Sequence, residues 1–223
     1  MTNIKLTYLG HSAFEIETPE GRILIDPFLI KCPQYNYSMV TDIFVTHAHS
    51  DHLGSSLDIS RQTKACITAV FELANYCASK GARANGIGLG AWQKYPWGEV
   101  VAVPAFHSSS FDNGAYGGCP CGYVFKINDI VIYHTGDTAL NSEMKAIGEV
   151  YSPQIAILPI GGHYTMDIEH AAIAAEWLNA KAVIPMHYNT FDAISVNIED
   201  FKNAINSIGK TPIVMNIGEF CNL

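Results

Sequence analysis

Ten residues constrain this chain more than any other stretch: Val45-Thr46-His47-Ala48-His49-Ser50-Asp51-His52-Leu53-Gly54. They set three imidazoles and a carboxylate directly after an apolar run. Ile43-Phe44-Val45 reads as the end of a buried strand. If the extended backbone continues, His47 and His49 project to the same side at the two-residue period, where both reach one ion. Asp51 and His52 fall where the chain turns toward Gly54, so they offer a carboxylate and an imidazole to a neighbouring position that suits a second ion. Neutral imidazole and carboxylate are ligands for zinc, manganese or iron. A polar surface loop is the bland alternative, but so dense a run of ligands seldom serves packing alone.

The rest of the composition is compatible with a folded frame for such a site. The chain has 223 residues, 48% hydrophobic and 15% charged, with no Pro/Gly/Ser-rich linker and no charge run to divide it. One domain over residues 1–223 with a substantial core is expected. Met1-Thr2-Asn3-Ile4-Lys5 runs straight into a strand-like pattern without a basic n-region and apolar h-region, and no apolar run approaches bilayer length, so a soluble cytoplasmic protein is expected. Six scattered cysteines then read as reduced thiols. Cys119-Pro120-Cys121 lacks a second ligand pair and reads as a turn before a strand. A net charge of −8 with no cluster of Lys and Arg argues against nucleic acid and polyanions. A small-molecule substrate, including a small anion neutralised by metal, fits; no oligomeric state is specified.

Along the chain, apolar alternation marks strands at Ile4–Leu9, Ala13–Glu17, Arg22–Ile25, Asp42–Val45, Ala65–Thr68, Glu99–Phe106, Tyr123–Ile127, Ile130–Tyr133, Ile155–Pro159, Ala182–Met186 and Ile213–Ile217. Helical spacing marks Ser56–Gln62, Phe71–Ala78, Ser142–Val150, Asp167–Leu178 and Ile198–Ile208, and Gly81 is a plausible C-cap. Phe28–Met39 reads as an irregular loop on a pocket rim. Gly86–Gly90 does not open a helix after a strand and reads as a turn or strand edge rather than a nucleotide loop. His170, on a helix, reads as structural.

Asp26, His47, His49, Asp51, His52, His107, Asp137 and His187 all fall at or just beyond the C-terminal ends of these strands. Strand ends side by side form a crevice, where α/β folds build their sites. His11 in the Gly10-His11-Ser12 turn is equally readable as a structural histidine or a pocket residue. His134 and Tyr164 are further candidate pocket residues. His163, in Gly161-Gly162-His163-Tyr164, is a candidate to protonate a leaving group or contact an oxyanion, with a structural histidine as the alternative.

Leu24-Ile25-Asp26-Pro27, His47-x-His49-x-Asp51-His52, His107, Gly136-Asp137-Thr138 and His187 occur in the order of the metallo-β-lactamase-fold hydrolases, and the chain resembles that superfamily over nearly its whole length. The resemblance implies an α/β architecture, an αββα four-layer sandwich of two mixed sheets flanked by helices. It also implies two divalent metal ions, zinc foremost and manganese or iron also suited. By carry-over, His47, His49 and His107 hold one ion, Asp51, His52 and His187 the other, and Asp137 bridges them. Asp26 accepts hydrogen bonds that orient the ligand loop. Among subgroups, the chain is similar to small hydrolases of the bacterial ascorbate-6-phosphate lactonase type, being short and carrying Ala105-Phe106-His107-Ser108.

Differences from other branches narrow the expectation. The chain keeps His52 and Asp137, which the antibiotic-hydrolysing members commonly replace. It has His at position 49 where oxygen-reducing di-iron members have Glu. It has neither the inserted domains nor the positive charge of the nucleases, nor the helical C-terminal domain of glyoxalase-type thioesterases. The activity implied is hydrolysis of a small ester, lactone or phosphodiester by a metal-bridging hydroxide, two ions about 3.5–4 Å apart supplying nucleophile and charge. Asp51 is a candidate acceptor of the water's proton, although a carboxylate bound to a cation is a weak base. A metal-bearing scaffold or binding protein without catalysis, and a nucleotide phosphodiesterase, are the alternatives.

Overall fold

Short alternating strands with one apolar face leave two sheets no better option than to pack on each other, and in the structure, a computed structural model that describes residues 4–223, they do. The first sheet is built from β1 (Lys5–Gly10), β2 (Ala13–Thr18), β3 (Gly21–Ile25), β4 (Asp42–Phe44), β5 (Cys66–Ala69) and β6 (Ala84–Gly86). Between them lie α1 (Ser50–Leu53), α2 (Ser56–Thr63) and α3 (Phe71–Ser79). The second sheet is built from β7 (Gln93–Tyr95), β8 (Gly98–Pro104), β9 (Cys121–Ile127), β10 (Ile130–His134), β11 (Ile155–Pro159), β12 (Ala182–Met186) and β13 (Thr211–Pro212). Its helices are α4 (Glu143–Tyr151), α5 (Ile168–Trp177) and α6 (Ile198–Ser207). The final strand, β14 (Phe220–Asn222), returns to the first sheet beside β1.

Both sheets are mixed, and in the same way. In the first, β14-β1-β2-β3 run antiparallel and β3-β4-β5-β6 parallel. In the second, β7-β8-β9-β10 run antiparallel and β10-β11-β12-β13 parallel.

The two-residue period divides the second sheet between two cores. Val100, Ala102, Tyr123, Phe125, Ile132, Ile155 and Ile157 join Leu6, Phe14, Ile16, Ile23 and Phe44 between the sheets. Their neighbours Val101, Val103, Val124, Tyr133, Ala156 and Leu158 face outward onto Met144 and Ile147 of α4, Ala171 and Ala174 of α5, and Phe201 and Ile205 of α6. Ile59 of α2, with Leu73 and Cys77 of α3, covers the other outer face. Four layers, αββα, follow. Phe44 shows how tightly the sheets engage, meeting Tyr95, Trp97, Tyr123 and Phe125 edge-on at 5.1–6.0 Å between ring centres. Burying such a ring contributes about 1.5–3 kcal/mol.

The differences from the sequence-based expectations lie at sheet edges. Ile213–Ile217 is not a strand. The chain pairs only through Thr211–Pro212, then turns at Asn216–Glu219, where Asn216 N donates to Glu219 Oε2 (2.8 Å) and Gly218 takes φ +84°, before adding β14 to the opposite sheet. β6 and β7, three residues each, are too short to show a period in sequence. Strand β8 stops at Pro104, so His107 stands on a loop rather than at the strand's last residue. Asp51 and His52 sit on the single helical turn α1 instead of an open turn. His170 is exposed on α5, where its backbone N–H donates to Oδ1 of Asp167, the helix N-cap, at 2.8 Å and its ring Nδ1 lies 3.0 Å from the same oxygen.

Candidate metal centre

The sheets place the ligand loop by gripping its backbone from both sides. Tyr123 Oη donates to Val45 O (2.9 Å) and Cys121 N to Thr46 O (3.1 Å), so the chain leaving β4 is held to β9 of the opposite sheet. Gly54 ends α1 against Pro27: Ser55 N donates to Pro27 O at 2.9 Å, and a Cβ on Gly54 would lie 2.5 Å from that oxygen. Gly136, at φ +62°, leads Asp137 out of β10, where a Cβ would strike Cys121 O at 2.7 Å.

Three further residues leave their strands in the left-handed region: His11 after β1 (φ +57°), Asp26 after β3 (φ +44°) and His187 after β12 (φ +53°). Each non-glycine residue there is strained, and in each case the kink delivers a polar side chain to the same crevice.

Asp26 orders the interior of that crevice. Its Oδ1 accepts from Thr46 N (2.8 Å); its Oδ2 accepts from Thr46 Oγ1 (2.7 Å) and from His52 Nδ1 (2.7 Å). His52 therefore carries its proton on Nδ1 and turns Nε2 to the centre. Thr46, having donated to Asp26, accepts from His47 Nδ1 (3.0 Å) and fixes that ring likewise. Neither Thr46 nor this bridging role is evident from residue type, because threonine is common at strand ends.

Two clusters result. The ligand atoms of His47, His49 and His107 lie within 4.8 Å of one another, and so do those of His11, Asp51, His52 and His187. Asp137 stands between them: its Oδ2 is 3.0 Å from His187 Nε2, 3.3 Å from His52 Nε2 and 3.6 Å from His107 Nε2. The sequence-derived ligands are thus all brought together, and His11 joins them, with Nε2 3.0 Å from Asp51 Oδ2.

The electrostatics differ from place to place. Burial lowers His47, His49 and His107 below the ordinary imidazole range, assisted at His47 by His52. Burial would also lower His52 and His187, but Asp137 outweighs it. With Asp26 it holds His52 well above the ordinary range, and with Asp51 it holds His187 at about 9. Asp137 itself would be raised by burial, yet His52 and His187 keep it well below the carboxylate range. Asp51 is lowered in the same way by His11 and His187 against its own desolvation.

This donor set fits divalent cations. Buried nitrogens and oxygens converge, and His52 Nε2, Asp137 Oδ1 and His187 Nδ1 have no hydrogen-bond partner. The His47 Nε2 and His49 Nδ1 nitrogens face each other at 2.9 Å. Imidazole and carboxylate are the ligands zinc, manganese and iron prefer, and unsatisfied buried polar atoms are costly without a partner.

The crevice opens through a cavity of about 260 Å³ lined by His49, Asp51, His107, Ser108, Asp137, Tyr164 and His187. Tyr164 stands at its mouth. His163 is exposed with its ring 4.3 Å from that of Tyr164, and it is not among the lining residues. His134 is fully buried outside the cavity, its Nε2 3.0 Å from Ser12 O and its Nδ1 accepting from Gly136 N (3.2 Å), so it props two strand ends. The Phe28–Tyr37 segment lines a separate apolar groove of about 470 Å³ beside α1. Ser108 and Thr190, the latter 2.9 Å from His11 Nδ1, have no signal in sequence beyond their hydroxyls.

Known proteins match the chain over nearly its whole length. A family model described as the beta-lactamase superfamily domain matches residues 5–187. The chain is 41% identical over 234 residues to the UPF0173 metal-dependent hydrolase of Methanosarcina barkeri, covering all of both chains. The structure of Igni18, a metallo hydrolase of Ignicoccus hospitalis, superposes with a TM-score of 0.90 at 38% identity, over 100% of this chain and 99% of that one. A metallo-beta-lactamase fold protein of Bacillus subtilis shares the fold at 12% identity, with a TM-score of 0.78 over 99% of this chain and 100% of that one. No helix among the described residues is long and apolar enough to cross a membrane. Identity of this order, sustained over the whole of both chains, fixes the family: the chain belongs to the UPF0173 metal-dependent hydrolases of the beta-lactamase superfamily.

Proposed function

We propose that this metal-dependent hydrolase is binuclear and acts on a small ester, lactone or phosphodiester, with zinc the first candidate for its ions and manganese or iron the others. The observation that carries the reading is Asp137: one carboxylate oxygen lies within 3.6 Å of nitrogens from both ligand clusters, while its other oxygen is buried without a partner. His47, His49 and His107 would hold one ion, Asp51, His52 and His187 the other, and Asp137 both. Bound there, divalent cations supply a water acidic enough to ionise near neutral pH and positive charge where an oxyanion develops.

The chain's own residues supply the rest. Asp26 and Thr46 fix which nitrogen each inner ring presents, so the ligand loop is organised before substrate arrives. Asp51, with about a quarter of its side chain exposed, lines the cavity; with Oδ2 turned to the second cluster, its other oxygen is the candidate to accept a proton from an attacking water. Tyr164 Oη and Ser108 Oγ offer hydrogen bonds to a substrate entering the mouth, and His163, edge-on to the Tyr164 ring, is the candidate to protonate a departing group. The size of the cavity favours a small molecule, and none of its lining residues is Lys or Arg, which favours an ester or lactone, as in the lactonase-like subgroup, over a polyphosphate or nucleic acid.

The test is metal content measured beside hydrolysis of activated esters, lactones and bis-p-nitrophenyl phosphate, in the native protein and in Asp137→Ala. The native protein should hold two equivalents and turn over at least one class. Asp137→Ala should lose both ions and about three orders of magnitude in rate. Full activity in metal-stripped Asp137→Ala protein, or metal-replete native protein inactive on every class, would defeat the reading, and the latter would favour a binding protein of the same fold.

A further inference from the structure

The first pocket contains a construction that recurs once more in the molecule. Thr46 spends its proton on Asp26, accepts from His47 Nδ1, and so leaves His47 Nε2 unprotonated and directed at the centre. Thr190 does the same for His11. Its Oγ1 donates to Tyr188 O (3.4 Å), which leaves it able to accept from His11 Nδ1 (2.9 Å); with the ring proton there, Nε2 offers a lone pair. That nitrogen lies 3.0 Å from Asp51 Oδ2. A lone pair set against a carboxylate oxygen is repulsive unless a cation lies against both.

The surroundings agree with a cation. Asp51 Oδ2 is also 3.8 Å from His187 Nε2 and 3.9 Å from His52 Nε2. His187 N donates to His11 O (2.9 Å), tying the two left-handed strand ends together, and the two rings lie 4.2 Å apart. His11 is 1% exposed, which leaves it little access to a substrate.

We propose that His11 Nε2 is a ligand of the second ion, beside Asp51, His52 and His187. The resemblance to the superfamily supplies no such donor. The inference rests on the two-ion reading of the site. A ring that merely oriented Asp51 would instead carry its proton on Nε2 and donate it to Oδ2.

Cadmium is the probe. Protein loaded with two equivalents of isotope-labelled cadmium and carrying labelled histidine nitrogens shows by NMR which ring nitrogens are coupled to metal. Six rings should couple: His11, His47, His49, His52, His107 and His187, with His11 doing so through Nε2 while its proton stays on Nδ1. His11→Gln, whose amide can still donate to Asp51, should lose about 10–100-fold in affinity for the second equivalent and keep the couplings of His47, His49 and His107. Coupling at the other five rings with a proton on His11 Nε2 overturns the inference alone. Silence at His11, His52 and His187 together overturns the second-ion reading and the inference with it. The wild-type measurement decides the matter even where the variant does not fold.

Discussion

The two pockets on either side of Asp137 are built from the same residue types and differ in charge. In the first, His47, His49 and His107 are imidazoles that burial keeps neutral, and two of the three are partly exposed. In the second, His11, His52 and His187 are at most 2% exposed, and the carboxylates of Asp26, Asp51 and Asp137 hold protons on His52 and His187. Counter-ions are thus already present in the second pocket before any metal arrives, as protons, whereas the first pocket presents bare lone pairs. Similar ligands need not mean similar affinity or the same dependence on pH.

The largest expected effect that would sharpen this contrast is Asp26→Asn. The amide can still accept from Thr46 N but no longer from His52 Nδ1 or Thr46 Oγ1, so His52 loses its direct anchor while His47 feels the change only through Thr46. Affinity for the second equivalent should fall about 10–100-fold and that for the first much less, measured by competition with a chromophoric chelator. Equal losses would mean that Asp26 supports the loop as a whole.

A smaller effect concerns protons. An ion binds only neutral rings, through the nitrogen that carries no proton. His187 titrates at about 9 in the metal-free protein and His52 also lies above the ordinary range, so second-position affinity should rise with pH through the neutral region toward about 9. His47, His49 and His107 are lowered, so first-position affinity should be nearly flat above neutral pH and the second ion should leave first on acidification. Calorimetric titration in buffers of different ionisation enthalpy counts the protons released; equal release for both equivalents would erase the contrast.

The smallest effect is expected outside both pockets. His163 lies on the rim beside Tyr164, so His163→Ala should reduce turnover by about tenfold or less with metal content unchanged. Unaltered kinetics would return His163 to a structural role.

Much of the centre is legible in the amino-acid sequence because metal chemistry is choosy about side chains. No hydrophobic core calls for His-x-His-x-Asp-His, and Asp26, His107, Asp137 and His187 each follow an apolar run whose period marks a strand. What stays hidden depends on partners rather than on type. Thr46 and Thr190 matter for where their single hydroxyl proton goes, which only three-dimensional neighbours decide. His11 reads as equally structural and functional because its partner Asp51 lies 40 positions away. His134 follows the same kind of strand as the ligands but is directed at Ser12 O. The edge strands β6, β7 and β13 are too brief for alternation to register, and the apolar Ile213–Ile217 run misleads because burial along one side of a connecting segment resembles a strand.

The return of β14 to pair with β1 sets an order of assembly. A chain leaving the ribosome N-terminus first has all three rings of the first pocket by residue 107. The second pocket spans residue 11 to residue 187, and the strand leading to His11 gains its outer neighbour only from residues 220–222. One half of the centre is therefore complete in composition once residue 107 has been made, while the other half waits for residue 187 and for the strand at residues 220–222.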